Sequence, residues 1–448
     1  MFLIPALVVA VFPAALAAGA EAAAAPVPPS PISSTMVSEP PPSATAASEP
    51  AQAPVPSLAP TKARGPSRFV PIVDADLRGA ASKMGSADWT GGVVGSVFAL
   101  PAYRVADKTM LLPIYAFEGA VYDTVIEEVV LFQHRQVHSG SLGVRQGLGE
   151  KWDARLSFDA AYALTKETRG ETLGKGLYDH MDLGGRGSVA WNLEQFGHKA
   201  SASLALRGYS RKYPNFRSLA SENLTLPASV SGTERHPKDF VGIEPALAGV
   251  WWWTPSVQTR AGYAASSRSY SDRYLRTTQG AISPTKRADR LHRLETETTV
   301  MGLGDVTVGA ELSGMVNLSN ASVYDANQPV HAYIPHFYQF TSVSVGPWGM
   351  WVIPVERELK PRVRLGASLM MRQFTDRLVQ DASGMYQDEM QRDTEWGADL
   401  RGWYPIRSWI GATAGIGGKL VRSNNRFQRF IRYNYEVLNL SAGVTFSY

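Results

Sequence analysis

The side chains able to do covalent or metal chemistry are few in this 448-residue chain: eight histidines and no cysteine. Absence of cysteine removes disulfides, thiolate metal sites, thiol nucleophiles and a thiol acceptor for lipid. His134 and His138 stand four residues apart, a spacing that serves a metal on a helix, but no glutamate completes the His-Glu-x-x-His pattern. The segment around them reads as a strand, which puts both rings on one face two residue pairs apart. Ser322, His331 and His336 can be combined on paper into a nucleophile and base, yet nothing in their spacing singles them out. Phosphate-cradling glycine loops, paired-glycine nucleotide motifs and calcium loops are missing from the sequence. The sequence therefore nominates no catalytic residue, no metal ligand and no cofactor, and it reads as a non-enzyme.

What remains is the chemistry of fixed charges in a polar face. Arg155, Arg186, Arg207, Arg260, Arg362, Arg364 and Arg401, with Arg372 and Lys419, occupy polar positions in segments whose alternate positions are apolar. Glu244, Glu311 and Asp399, with Asp159, Glu295, Glu297 and Glu395, do the same. Opposite charges lining a water-filled lumen create a transverse field that tunes which solutes pass. The same charges could instead pair across strands and stiffen or plug the structure. Tyr209, Tyr270, Tyr433, Tyr435 and Trp252 share the polar register, where flat rings could stack on sugars. The net charge of +4 is spread along the chain rather than gathered in a block, which argues against a nucleic-acid partner.

Such a face must be positioned by strands, because the dominant period is two. In the last segment Leu438, Leu440, Ala442, Val444, Phe446 and Tyr448 alternate with Asn439, Ser441, Gly443, Thr445 and Ser447. Val363, Leu365, Ala367, Leu369 and Met371 alternate with charged and small residues in the same way, as do Ala154 to Tyr162 and Val306 to Leu312. Turn signals near Gly147, Phe196, Pro255, Gly302, Pro361 and Pro405 recur at intervals of very roughly fifty residues, two membrane strands plus a loop. Longer polar stretches at 213–239, 271–289, 324–331, 375–393 and 423–429 lie between them. Trp191, Trp251, Trp252, Trp253, Trp348, Trp351, Trp403, Tyr404 and Trp409 cluster by the short turns, as an interfacial girdle would.

These patterns predict an all-β fold, an antiparallel transmembrane β-barrel of about sixteen strands, with fourteen and eighteen fitting the same repeat. Twelve of the strands are expected after about Lys151 and the rest in 88–148. The domain reading is a signal peptide at 1–20, a Pro/Ala-rich disordered linker at 21–86 and the barrel at 87–448. Residues 1–20 are apolar and offer small-residue cleavage sites, although no Lys or Arg precedes them; an uncleaved anchor is the alternative. The linker is Pro, Ala and Ser with too little apolar surface to offset its ordering entropy.

On the alternating C-terminal residues Leu440, Val444, Phe446 and Tyr448, the chain resembles bacterial outer-membrane β-barrels. In that class such a strand is the signal read by the barrel assembly machinery. The resemblance implies an integral outer-membrane location, with membrane lipids and that machinery as partners. A long Pro-rich lead before a mid-sized barrel also looks like the barrel components of some polysaccharide secretion systems, which would add periplasmic export components. The functional expectation is an outer-membrane pore or export conduit for a hydrophilic solute such as an exopolysaccharide. A structural, adhesive or receptor barrel with a closed lumen is the alternative.

Overall fold

The computed structural model describes residues 69–85, 89–126, 129–166, 170–195, 198–216, 236–324, 333–356, 358–427 and 433–448. The expected signal peptide and most of the expected linker lie outside these residues. The strands in chain order are β1 (Phe69–Met84), β2 (Thr90–Ala106), β3 (Thr109–Ile126), β4 (Val129–Leu148), β5 (Trp152–Lys166) and β6 (His180–Gln195). They continue with β7 (His198–Lys212), β8 (Phe240–Thr254), β9 (Val257–Arg276), β10 (Ile282–Leu303), β11 (Val306–Ser319), β12 (Val323–Tyr324) and β13 (Tyr333–Ile334). The last are β14 (Phe340–Val352), β15 (Arg362–Gln380), β16 (Tyr386–Arg407), β17 (Ile410–Ser423) and β18 (Tyr435–Ser447). Sixteen of them form one closed antiparallel barrel in sequence order, and β12 with β13 makes a small ladder in the connection between β11 and β14.

Closure is made by β1, which pairs with β2 on one side and β18 on the other. The C-terminal residue completes the seam: Val73 N–H donates to Tyr448 O (2.9 Å) and Tyr448 N–H to Val73 O (2.8 Å). Directly opposed residues in antiparallel strands share a face, so the register carries one face around the cylinder. From Arg155 it runs through Ser188, Ala205, Ala246, Ala264, Arg293, Met315, Ser342, Arg372 and Asp393 to Ser423. This is the enclosed face, small and polar in its wall. The alternate face points outward and is apolar: Leu156, Leu204 and Leu365 are 68%, 64% and 61% exposed, whereas Ser157, on the enclosed face, is 8%.

The β2–β3, β4–β5, β6–β7, β8–β9, β10–β11, β14–β15 and β16–β17 connections are short and sit at the end where β1 begins and β18 finishes. The four longest connections, β5–β6, β7–β8, β11–β14 and β17–β18, lie at the other end. Glycines with positive φ close two of the short turns, Gly149 at 86° and Gly304 at 68°, a conformation that costs an L side chain.

The boundaries differ from the sequence expectation at several places. The barrel begins at Phe69, inside the stretch assigned to the linker, so the expected start at Ala87 is too late by one strand. Twelve barrel strands follow Lys151 as expected, but only three of the other four lie in 88–148. The polar stretches 271–289 and 375–393 are mostly strand, since β9, β10, β15 and β16 run on past their apolar positions toward the long-loop end. Between β15 and β16 the tip is held by Asp381. The Ser383 hydroxyl (2.6 Å), then the Met385 and Ser383 N–H groups, donate to its carboxylate and hold it below the usual carboxylate range. Finally, the turn expected at Tyr404-Pro405-Ile406 falls a few residues later, because β16 continues to Arg407.

A chain starting at Ser67 is expected to fold in detergent to a β-rich form whose gel mobility shifts on heating. A chain starting at Ala87 lacks β1 and leaves β2 and β18 as open edges, so it is expected to remain unfolded or aggregate. Equal folding of the two by circular dichroism and gel shift would show that β1 does not close the barrel.

Candidate functional site

The register places all sixteen charged residues nominated from the sequence on the enclosed face. Arg155 faces Arg145 across β4 and β5. Arg186, Arg207 and Glu244 form a continuous row across β6, β7 and β8. Arg260, Glu297 and Glu311 form another across β9, β10 and β11. Arg364 faces Arg401, Arg362 faces Trp403, and Asp399 faces Gly366 across β15 and β16. Three of these rows therefore oppose arginine to arginine. Like charges directly across a ladder destabilise a sheet, so each pair is tolerated only where water or a counter-charge reaches it.

Counter-charges are unevenly supplied. Arg145 has a bidentate contact with Asp153, Nη2 to Oδ2 at 2.9 Å, and Asn192 donates to the same carboxylate. Lys419 pairs with Glu395 at 2.8 Å and Arg211 with Asp182 at 2.7 Å. Around β1, β15 and β16 at the short-turn end the supply is thinner. A cavity of about 330 Å³ there is lined by Arg78, Arg362, Arg364, Arg401, Trp403 and Thr413 among others, with Asp76 as its carboxylate. Arg78 lies on Asp76 (2.5 Å), Arg401 on Asp399 (3.3 Å) and Arg364 loosely on Glu311 (3.8 Å). The guanidinium of Arg362 rests over the Trp403 ring at 4.9 Å, and that indole donates to Thr445 Oγ1 at 3.0 Å.

Glycine makes room for this layer. A Cβ on Gly411 would lie 2.5 Å from the Trp403 indole nitrogen, and one on Gly443 would collide with Arg78 and the β1 backbone. Both large side chains can lie against the wall only because their cross-strand neighbours have none. Arg78 and Asp76 were not nominated from the sequence, since β1 fell within the presumed linker. Their alternation with Ala75, Leu77 and Gly79 is the signal that could have found them.

At the long-loop end arginine has a different role. Arg287 is 3% exposed, bridges to Asp289 at 2.9 Å, and lies over Tyr270 (4.5 Å) and Tyr338 (4.9 Å). Asp289 also accepts from the Tyr270 hydroxyl at 3.0 Å and from Ser319 Oγ at 2.6 Å. Arg377 sits between Phe337 and Phe374 at 3.8 and 4.0 Å and donates to Phe337 O. Asn317 donates to Tyr338 O, so residues 333–339 are fastened to the wall by β10, β11 and β15. Tyr209, which hydrogen-bonds Ser266 and accepts from Arg268, and Tyr270 are enclosed as expected but tied into this packing. That argues against both as a free stacking surface for sugars. Trp252 and Tyr435 share the enclosed register; Tyr433 lies just before β18.

The expected aromatic girdle divides by parity. Trp191, Trp253, Trp351, Tyr404 and Trp409 are outward and exposed, joined by Trp152, which stacks on Trp191 at 5.4 Å. Trp252, Trp348 and Trp403 belong to the enclosed face, because alternate residues of a strand cannot share one side. Leu440, Val444 and Phe446 lie on the outward face, and Tyr448 at the seam is exposed.

Among the described residues no three His, Asp or Glu side chains are grouped so that they could hold a metal ion. His134 and His138 share the outward face of β4, with His138 hydrogen-bonded to the Tyr115 hydroxyl at 3.0 Å. Ser322 Oγ accepts from Arg276 N–H, and His336 Nδ1 meets Ser319 O at 2.9 Å; His331 lies outside the described residues.

No family model matches the chain, and no curated protein does. Solved structures with similar folds include the outer-membrane protein OmpT of Vibrio cholerae in its trimer form, 12% identical with TM-score 0.42 over 85% of this chain and 100% of that one. A bacterial polysaccharide outer membrane secretin is 11% identical with TM-score 0.39 over 84% and 98%. OccK8 (OprE) of Pseudomonas aeruginosa is 7% identical with TM-score 0.41 over 85% and 98%. The chain's own fold is a closed, sixteen-stranded antiparallel barrel.

Removing one member of a buried ion pair strands the other. Arg287→Met is therefore expected to cost about 3–5 kcal/mol in urea unfolding from detergent micelles. The double variant Arg287→Met with Asp289→Leu should recover part of that loss. A single variant within error of the parent would show that this network does not hold the rim.

Proposed function

We propose that the chain is an integral outer-membrane pore for hydrophilic solutes, and that its cargo is an exopolysaccharide exported with periplasmic components. The observation that carries the reading is the closed cylinder of sixteen strands whose enclosed face is charged and whose outward face is apolar. Eight-stranded barrels are filled by their own side chains, whereas barrels of about sixteen strands leave an aqueous channel. With strands about 4.8 Å apart and tilted by about 40°, sixteen span roughly 30 Å between backbone walls.

The outward Leu, Val and aromatic residues suit lipid, and a closed sheet is one of the two structures that satisfy every backbone group in hydrocarbon. In this reading the short turns and both outer ends of β1 and β18 face the periplasm, and the long loops face outward. Any segment before Phe69 then enters from the periplasm, where it can meet export partners. The outward β18 residues Leu440, Val444 and Phe446, with Tyr448, are available to the assembly machinery before the seam with β1 closes.

Purified, folded protein added to a planar lipid bilayer is expected to give discrete ion-conducting steps. Correctly folded protein that inserts and stays electrically silent would contradict the pore and favour a receptor or adhesive barrel with a closed lumen.

A further inference from the structure

We propose that the arginine-lined cavity at the short-turn end is a binding site for an oxyanion group, carboxylate or phosphate, carried by a hydrophilic solute. This deepens the pore reading and rests on it for the route by which the solute arrives. Four guanidinium groups from β1, β15 and β16, those of Arg78, Arg362, Arg364 and Arg401, line one cavity whose lining holds a single carboxylate, Asp76. Asp399 and Glu311 partner Arg401 and Arg364 from outside the lining, at 3.3 and 3.8 Å. Among the described residues Arg362 meets no carboxylate; its contact is the face of Trp403.

Three features make this a site rather than an ordinary charged wall. First, Arg364 and Arg401 are directly opposed in the register, so the ladder brings like charges together at a cost that a bound anion relieves. Second, Thr413 Oγ1, whose residue lines the cavity, is buried without a hydrogen-bond partner. A buried hydroxyl left unpaired carries a desolvation penalty, which turning the Thr413 side chain onto a ligand oxygen in the cavity would remove. Third, the basic groups are all arginine. The guanidinium stays charged throughout the accessible pH range and offers a planar fork that fits carboxylate and phosphate in two-point contact.

The volume, about 330 Å³, falls at the lower end of small-molecule sites, roughly 300–1,000 Å³. Trp403, held by Thr445 and covered by Arg362, supplies a flat apolar wall beside the cations. A charged group on a ring-shaped carrier suits that combination better than a bare inorganic ion. The cluster at the long-loop end lacks this openness, because its arginines are buried between aromatic rings and carboxylates.

Titration calorimetry on the full chain folded in detergent tests the assignment, with trigalacturonate, glucose 6-phosphate and uncharged maltotriose as probes. At least one anionic probe is expected to bind more tightly than maltotriose, and which one does so identifies carboxylate or phosphate as the preferred group. The double variant Arg362→Gln with Arg401→Gln is expected to weaken that binding by about tenfold or more, corresponding to about 1.4 kcal/mol. Circular dichroism and the heat-dependent gel shift establish that the variant folds; should it fail to, Arg362→Lys alone, which keeps the charge but removes the fork, is expected to weaken binding. Equal heats for charged and neutral probes, or unchanged affinity in the folded variants, would overturn the proposal. Conductance without anion binding defeats this inference and leaves the pore intact; anion binding by an electrically silent barrel does the reverse.

Discussion

The structure depends on one constraint: a sheet with an apolar outer face can have no unpaired edge. Each of the sixteen barrel strands is hydrogen-bonded on both sides, and the ring closes where β1 meets β18. Because antiparallel neighbours share a face, the choice made at Leu156 fixes the choice at Leu204, Leu365 and Leu440. A slip of one residue anywhere would turn an entire strand inside out. Closure thus enforces two chemically opposite surfaces on a wall one residue thick.

The enclosed surface uses that freedom in two ways. Near the long loops, arginines are buried, paired and covered by rings, as Arg287 and Arg377 are, and they bind residues 333–339 to the wall. Near the short turns, Arg362, Arg364 and Arg401 are left with thin counter-charge and a cavity between them. The same residue type therefore acts as a fastener at one end and as an accessible charge at the other. Burial and the supply of carboxylates decide which, and several of those carboxylates stand two residues away on the same strand, as Asp289 does for Arg287 and Asp399 for Arg401.

Much of this was legible beforehand. Alternation in 363–371 and 438–448 is enough to assign both faces of those strands, and it places Arg155, Arg186, Arg207, Arg260, Arg362, Arg364 and Arg401 on the polar side with Glu244, Glu311 and Asp399. What one strand cannot show is its neighbour. The opposed pairs Arg145 and Arg155, Arg186 and Arg207, and Arg364 and Arg401 emerge only once the ladder is known. β1 was hidden because its alternation, Val73, Ala75 and Leu77 against Asp74, Asp76 and Arg78, directly follows a Pro/Ala stretch and is weak in large apolar residues. The distal halves of β9, β10, β15 and β16 resemble loops in the sequence, since beyond the apolar band a strand has no greasy side to display. Trp348 and Trp403 group with the girdle by position along the chain, whereas period two sends them inward; Trp252 fits both readings in the sequence, and the ladder puts it inward.

The claim on which everything rests is the two-faced wall, and nitroxide labels placed singly along 200–210 of β7 in lipid vesicles test it directly. The absence of native cysteine makes each labelled site unique. Oxygen collision rates should peak at Ala202, Leu204 and Leu206, and a water-soluble nickel chelate should instead reach Ser201, Ser203 and Arg207, the two profiles alternating out of step. Profiles that rise and fall together, or that repeat every three to four residues, would contradict a barrel with lipid outside and water within.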